Sequence, residues 1–596
     1  MKIVNLKISR KNNCVSVVCV VSIVLGMIFQ EAYYTTGLVY THPEYFFANL
    51  AIVVIPALYI ILFCPSRKFL TPLLILSIAI FMNLTYWYYS RDFPYIPPLD
   101  AIYHWKVSER IITTSHLQPT ENPFSIEFAY SRYPGYHLLI SMMSIITGVD
   151  AATFVKMSPL IYTILPFLMY AISKMIFKSE RAAWLASFII IFLPKWYPFP
   201  SYNRIVFIYL FMLAIFLLKL TISLRKELLL AALVAMFSVS ITHHVTDYVT
   251  LGSLMAISIL MFLIRSRICE RLHILKNAKT TRLTFKAVMC LFACGLLFPV
   301  YVAYDLFKSH LLDIVRYLSP KYMAPEFTTS IMVSFSGFET ILVIGTIFLF
   351  GVLGVIGFLR YLRSSKWNVT AVALVVFVGL LFILSLPLMN INSSIAHYVR
   401  YRGVFVVFMV IAPFIGYKLS RSLKGSKNRK RLLGLAMVLA LFALAFSSVR
   451  LMPTSYYYFS SEESSGTLWE VRKYSWSLYA SLRWYRDSTL QNSKAIGDVP
   501  IRDIGNGMLN LSVEYSWSFY EADQISRENI SRLRYSEGVK YVFLDYLMTI
   551  YREQYSFSMF KEPISASHLE NMINYSWLNK VYDDEIISIL FISSNS

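Results

Sequence analysis

Apolar runs of membrane-spanning length, separated by short polar loops, recur from residue 14 to residue 449. A bilayer core about 30 Å thick takes about 20 apolar residues as a helix, and it holds no water to satisfy stray backbone groups, so such runs fold as helices. The runs lie near 14–30, 47–64, 69–89, 158–176, 182–195, 204–218, 227–241, 246–264, 287–304, 338–359, 369–388, 403–417 and 432–449. They predict about thirteen transmembrane helices. Only 15% of the residues are charged, against about 25% in soluble domains, which excludes an ordinary soluble protein. The net charge is +21. In a soluble chain that would suggest nucleic acid. Here Lys and Arg sit between apolar runs, so the partner is membrane lipid and nucleic acid is excluded. The first run follows Lys2, Lys7, Arg10 and Lys11 as a signal peptide would, but no small-residue cleavage site follows it, and it reads as a retained helix. The six cysteines show neither a disulfide framework nor metal-ligand spacing.

One apolar run is too short to count as a span. Residues 136–148, YHLLISMMSIITG, number 13, a length more typical of interfacial or re-entrant segments. If this run crosses, every later loop inverts, and the basic loops 265–286 and 418–431 face the side opposite the basic N-terminus. If it lies flat, all basic loops share one side, with roughly ten Lys or Arg for each Asp or Glu. The positive-inside rule selects the flat reading. The protein is then a multi-pass cell-membrane protein with a cytoplasmic N-terminus. Residues 90–157 form one long outer loop of the 1–452 transmembrane domain.

Beyond residue 452 the composition turns toward Tyr, Ser and charged residues, and no further span appears. Residues 453–596 read as a small extracytoplasmic α/β domain. Apolar periodicity predicts a helix over 468–486. Strands are predicted at 494–504, 539–545 and 586–592, with a C-terminal hairpin turning near Asp583-Asp584.

The chain has no phosphate-cradling Gly-rich loop, no GxSxG and no HExxH, so chemistry falls to scattered polar residues of the outer loops. Asp100 follows the rigid Pro97-Pro98 and opens a predicted helix over 100–117. It reads as a helix cap, as a general base that takes a proton from an acceptor, or as both. Thr242-His243-His244-Val245-Thr246-Asp247 follows at the outer end of a helix. Two histidines and an aspartate so close can bind a metal or orient a phosphate, or simply cap two helix ends. His397-Tyr398-Val399-Arg400-Tyr401-Arg402 puts positive charge on the predicted outer side, against the overall bias. A phosphate-bearing ligand or anionic headgroups would account for it.

The stretch Asp100-Ala-Ile-Tyr103-His104-Trp-Lys-Val-Ser-Glu109 resembles the first-outer-loop signature of the GT-C superfamily, as does Tyr133-Pro-Gly-Tyr136-His137 leading into an apolar helix. These are polytopic glycosyltransferases that use polyprenyl-phosphate or polyprenyl-diphosphate sugars. They include the oligosaccharyltransferase catalytic subunit and the protein mannosyltransferases. The resemblance implies an all-α, GT-C-like membrane domain with an outer α/β domain, and suits an archaeal envelope. It implies transfer from a polyprenyl- or dolichyl-phosphate sugar to a glycan, lipid or protein acceptor. Asp100 would be the catalytic base, Arg400, Arg402 and His397 would hold the donor phosphate, and His104, Glu109, His243, His244 and Asp247 would support acceptor or metal. Two departures limit it. The WWDYG motif of oligosaccharyltransferases is missing, which disfavours transfer to a sequon asparagine. The second outer loop carries Asn203-Arg204 where metal-using members carry an acidic pair, which leaves a divalent cation, Mg or Mn, as an optional cofactor. A lipid-linked saccharide flippase or a non-enzymatic scaffold of envelope assembly would instead show a two-fold repeat of spans with mid-span charges, or no cavity behind the first loop.

Overall fold

The computed structural model describes residues 44–63, 70–91, 99–117, 131–192, 203–221, 225–265, 285–305, 337–363, 370–376, 404–422, 468–489, 493–509, 511–515, 538–545, 551–556, 559–561, 578–584 and 587–592, with isolated positions elsewhere. Helices occupy ten of the predicted apolar runs: α1 (Glu44–Phe63), α2 (Leu70–Arg91), α6 (Leu165–Phe177), α7 (Glu180–Ile191), α8 (Asn203–Leu220), α9 (Lys226–Thr242), α10 (His244–Arg265), α11 (Phe285–Tyr301), α12 (Gly337–Leu362) and α13 (Val404–Ser422); the runs 14–30, 369–388 and 432–449 lie largely outside the described residues. Between α2 and α6 lie α3 (Leu99–Thr114), α4 (Gly135–Thr147) and α5 (Ala151–Ile161). α5 runs through a 3₁₀ turn, Tyr162–Ile164, into α6. Pro166 tightens that turn because it cannot donate to the preceding carbonyls. The joined stretch Ala151–Phe177 has 27 residues and is long and apolar enough to cross a membrane. Among the described residues it is the single stretch that passes on both counts. The figure of thirteen crossings and their direction therefore rest on the sequence pattern alone.

α7 is the hub of the helical core. It is capped by Ser179, whose Oγ accepts from the Ala182 amide at 3.3 Å. Its residues from Ala182 to Ile191 are all buried. α13 and α6 pack on either side of it. α13 comes close because Gly416 has no side chain: a Cβ there would lie 2.5 Å from the Ala182 carbonyl oxygen and 2.9 Å from the Ala186 nitrogen. Backbone approach at small residues of this kind drives helix association where lipid removes the hydrophobic contrast between partners. Ser187 Oγ donates to the Pro166 carbonyl at 2.7 Å and ties α7 to the start of α6.

α4 has 13 residues, about 20 Å of helix, which falls short of a hydrocarbon core of about 30 Å. Gly148 ends it in the left-handed region, at φ 71°, and returns its N–H to the Ser144 carbonyl, a stop favoured by glycine. Tyr136, His137, Ile140 and Ser141 form the buried face. Met142, Met143, Ile145 and Ile146 are exposed, Ile146 at 75%. A short helix with an apolar outer face has the two properties of a segment that rests on a bilayer surface.

The C-terminal part pairs helix α14 (Leu468–Ser488) with a five-stranded mixed sheet of β1 (Lys494–Gly497), β2 (Ser512–Tyr515), β3 (Val539–Asp545), β4 (Leu578–Asp583) and β5 (Ile587–Ile592), in the order β2-β1-β3-β5-β4. β1 lies parallel to both β2 and β3, and β5 is antiparallel to β3 and to β4. The expected hairpin is present. Asp584 accepts from the Ile587 amide and Asp583 from Ser588 Oγ, each at 2.7 Å. The strand expected over 494–504 is corrected: it stops at Gly497, and α15 (Val499–Met508) begins at once. The reason is local. Asp498 accepts from the Ile501 amide at 2.9 Å and Pro500 occupies the first turn, two signals that start a helix whatever the apolar content. α15 then packs against α3, and Lys106 Nζ donates to the Asn506 carbonyl at 3.1 Å. The C-terminal domain thus rests on the first-loop helix.

The glycine contact gives a direct check. Gly416→Ala is expected to lose about 1–3 kcal/mol through overpacking against α7, read as a lowered Tm in detergent. Gly345→Ala, which meets nothing within 4 Å, should leave Tm unchanged or raised.

Candidate functional site

α3 and α4 are joined by a buried polar ladder. His104 Nδ1 and His137 Nε2 are 2.8 Å apart, and Ser141 Oγ donates to the Ser108 carbonyl at 2.9 Å. Each rung spans 33 residues, so the two helices run parallel, one turn of α3 matched to one turn of α4. Ser108 Oγ donates back to the His104 carbonyl at 3.0 Å. None of these four residues is more than 1% exposed. The imidazole rings stack at 5.0 Å between centroids, and Tyr136 meets His104 edge-on at 5.6 Å. Burial pushes the His137 imidazole down to about 3, because a charged ring would lose its hydration. At neutral pH His137 is uncharged, so one nitrogen of the contact donates and the other accepts.

The same turn that delivers His137 also reaches the histidine loop. Gly135 sits against Thr242 and Ile241 at the end of α9; a Cβ there would collide with Thr242 Oγ1 and lie 2.9 Å from Ile241 Cγ1. Tyr133 is buried against Phe298 and Ile241, with its ring 5.3 Å from that of His244. Arg132, next to it, bridges to Asp305 at 3.6 Å. His243 separates α9 from α10 and caps the latter: its Nδ1 accepts from the Thr246 amide at 3.2 Å. Asp247 is fully buried. Its Oδ1 accepts from Ser240 Oγ at 2.7 Å, and its Oδ2 has no hydrogen-bond partner among the described residues. The motif Tyr133-Pro-Gly-Tyr136-His137 therefore pins the first loop to two buried polar clusters at once.

Asp100 is the second residue of α3, one helical turn before His104. Glu109 lies five residues beyond His104 and half-buried, about 140° away around the helix, so it faces elsewhere. His243, His244 and Asp247 meet at the α9–α10 break, where Tyr133 joins them. Among the described residues no three His, Cys, Asp or Glu side chains gather as a metal site would require, and His243 already uses Nδ1 as a cap. His397, Arg400 and Arg402 lie outside the described residues. Sequence reasoning assigned no chemistry to His137, Ser108 or Ser141. The available signal was the shared i, i+4 spacing of His104/Ser108 and His137/Ser141 on two otherwise apolar helix faces.

The chain matches no protein-family model and no curated protein. Solved structures do resemble it. The oligosaccharyltransferase of Archaeoglobus fulgidus, solved with a tethered acceptor peptide containing an NVT sequon, superposes with a TM-score of 0.52 at 13% identity, covering 80% of this chain and 69% of that one. ArnT from Cupriavidus metallidurans, solved with undecaprenyl phosphate, gives a TM-score of 0.39 at 10% identity, covering 88% of this chain and 98% of that one. The oligosaccharyltransferase likeness places this chain in the GT-C fold, the architecture that the first-loop residues resemble.

The buried pair sets a pH dependence. His137 stays neutral in the fold down to about 3, whereas an unfolded histidine takes up a proton near pH 6.5. Between those values the unfolded chain binds a proton that the native chain refuses, so stability is complete above about pH 6.5 and declines as pH falls, by up to about 1.4 kcal/mol per unit. Thermal unfolding followed from pH 7 to about pH 4.5 should show a shallower decline for His137→Gln than for the unaltered protein.

Proposed function

We propose that this protein is an inverting glycosyltransferase of the membrane, transferring a sugar from a polyprenyl- or dolichyl-phosphate donor to an acceptor on the outer face. The observation that carries this reading is the placement of Asp100. It begins a helix clamped on one side by the α4 ladder and on the other by the C-terminal domain, within a GT-C architecture. A base must be held within hydrogen-bond reach of the proton it takes, and a helix gripped from two sides gives such rigidity. Asp100 accepts the acceptor proton as the acceptor oxygen attacks the anomeric carbon from the face opposite the phosphate. The bond from that carbon to the phosphate oxygen breaks, and the lipid phosphate leaves with the electron pair. Arg400 and Arg402, with His397, stabilise the charge on the departing phosphate. The acceptor is a glycan, lipid or protein hydroxyl.

The test uses membranes carrying the full chain, with dolichyl-phosphate-glucose and dolichyl-phosphate-mannose supplied in turn. Asp100→Asn should lower transfer at least about 100-fold while donor binding persists. Arg400→Ala and Arg402→Ala should weaken donor binding first. Near-normal turnover in a folded Asp100→Asn protein would remove the base assignment, and unchanged donor affinity in the arginine variants would remove the phosphate role.

A further inference from the structure

We propose that His137 is a positioning residue, holding the buried imidazole of His104 in one orientation one helical turn from Asp100. This rests on the transferase reading above. His104 lies four residues after Asp100 on α3, and side chains of a helix lean toward its N-terminus, so His104 covers the turn that carries Asp100. A buried imidazole has two ring orientations and two tautomers. A partner on one nitrogen decides which nitrogen the other side of the site meets, as second-layer partners do for catalytic and metal-bound histidines. His137 supplies that partner at 2.8 Å. It is itself held in place: it lies in the first turn of α4, Tyr136 packs beside it at 5.8 Å between ring centroids, and the Ser141–Ser108 rung fixes the register one turn on. A one-residue slip of α4 would break both rungs together. The position calls for a ring nitrogen at the far edge of the imidazole, since Nε2 and not Nδ1 makes the contact.

That atom choice makes the test sharp. The amide end of Gln reaches about where Nε2 of His sits, and the amide of Asn reaches only about as far as Nδ1. Full-length variants are assayed for transfer from dolichyl-phosphate-glucose and dolichyl-phosphate-mannose, with Tm measured alongside. His137→Leu and His137→Asn are expected to lose about 10–100-fold in kcat with donor KM unchanged. His137→Gln should return to within a few-fold of the unaltered protein. The double variant His104→Gln/His137→Leu should be no slower than His104→Gln alone, since the second change removes a partner that no longer has a ring to hold. If His137→Leu does not fold, the Asn and Gln pair decides. Equal kcat in those two variants, additive losses in the double variant, or a loss seen only in KM would overturn the positioning role. An unaltered protein that transfers from neither donor would overturn the transferase reading and this inference with it, and is told apart by the unaltered protein's own inactivity.

Discussion

The contact between His104 and His137 is the constraint on which the first loop depends. Two polar rings excluded from water cost several kcal/mol unless they satisfy each other. Here one nitrogen of each ring is satisfied by the other at 2.8 Å, seconded by a serine rung one turn along. That arrangement has one register and one helix orientation. It converts a long polar loop, which loop entropy would otherwise leave poorly defined, into two parallel helices with a fixed mutual rotation. Asp100 inherits its position from that pairing, because it belongs to the same rigid helix as His104.

Neighbouring elements reinforce the arrangement from three directions. Gly135 lets the start of α4 close against the end of α9, beside the histidine loop. Tyr133 fills the space between His244 and Phe298. On the opposite side α15 meets α3, and Lys106 places its ammonium on the Asn506 carbonyl within the last turns of α15, where a cation also suits the helix dipole. The outward apolar face of α4, with Ile145 and Ile146 largely exposed, gives the assembly a surface fit to rest on lipid. α3 and α4 thus join the helical core to α15 of the C-terminal part.

Much of the fold was legible before the structure because length and apolarity act locally. The helix over 182–195 appears as Glu180–Ile191 even though it is short, since burial on every side replaces length as its support. The run 136–148 forms one short helix, Gly135–Thr147, as its apolar content and the Gly148 stop dictate. Strand 539–545 agrees at both ends with Val539–Asp545. Where a single polar residue outranks apolar pattern, as Asp498 does, the pattern misleads and the strand becomes a helix. The site was legible in part. Asp100 and His104 stood out beside the proline pair and the resemblance. His137 belongs to the second stretch of the resemblance, but its role stayed hidden because its partner lies 33 positions away. At the histidine loop, where the sequence offers metal binding, phosphate orientation or helix capping, His243 caps α10 and Asp247 accepts from Ser240.

If a lipid-phosphate sugar is handled next to α3, photo-crosslinking the full-length protein with a diazirine-bearing polyprenyl phosphate will place the label there, read by mass spectrometry of the adducts. The expected result is adducts within residues 99–114 and 397–402, competed away by unlabelled polyprenyl phosphate. Adducts confined to outward apolar positions such as Phe348 on α12, unchanged by competitor, would contradict it.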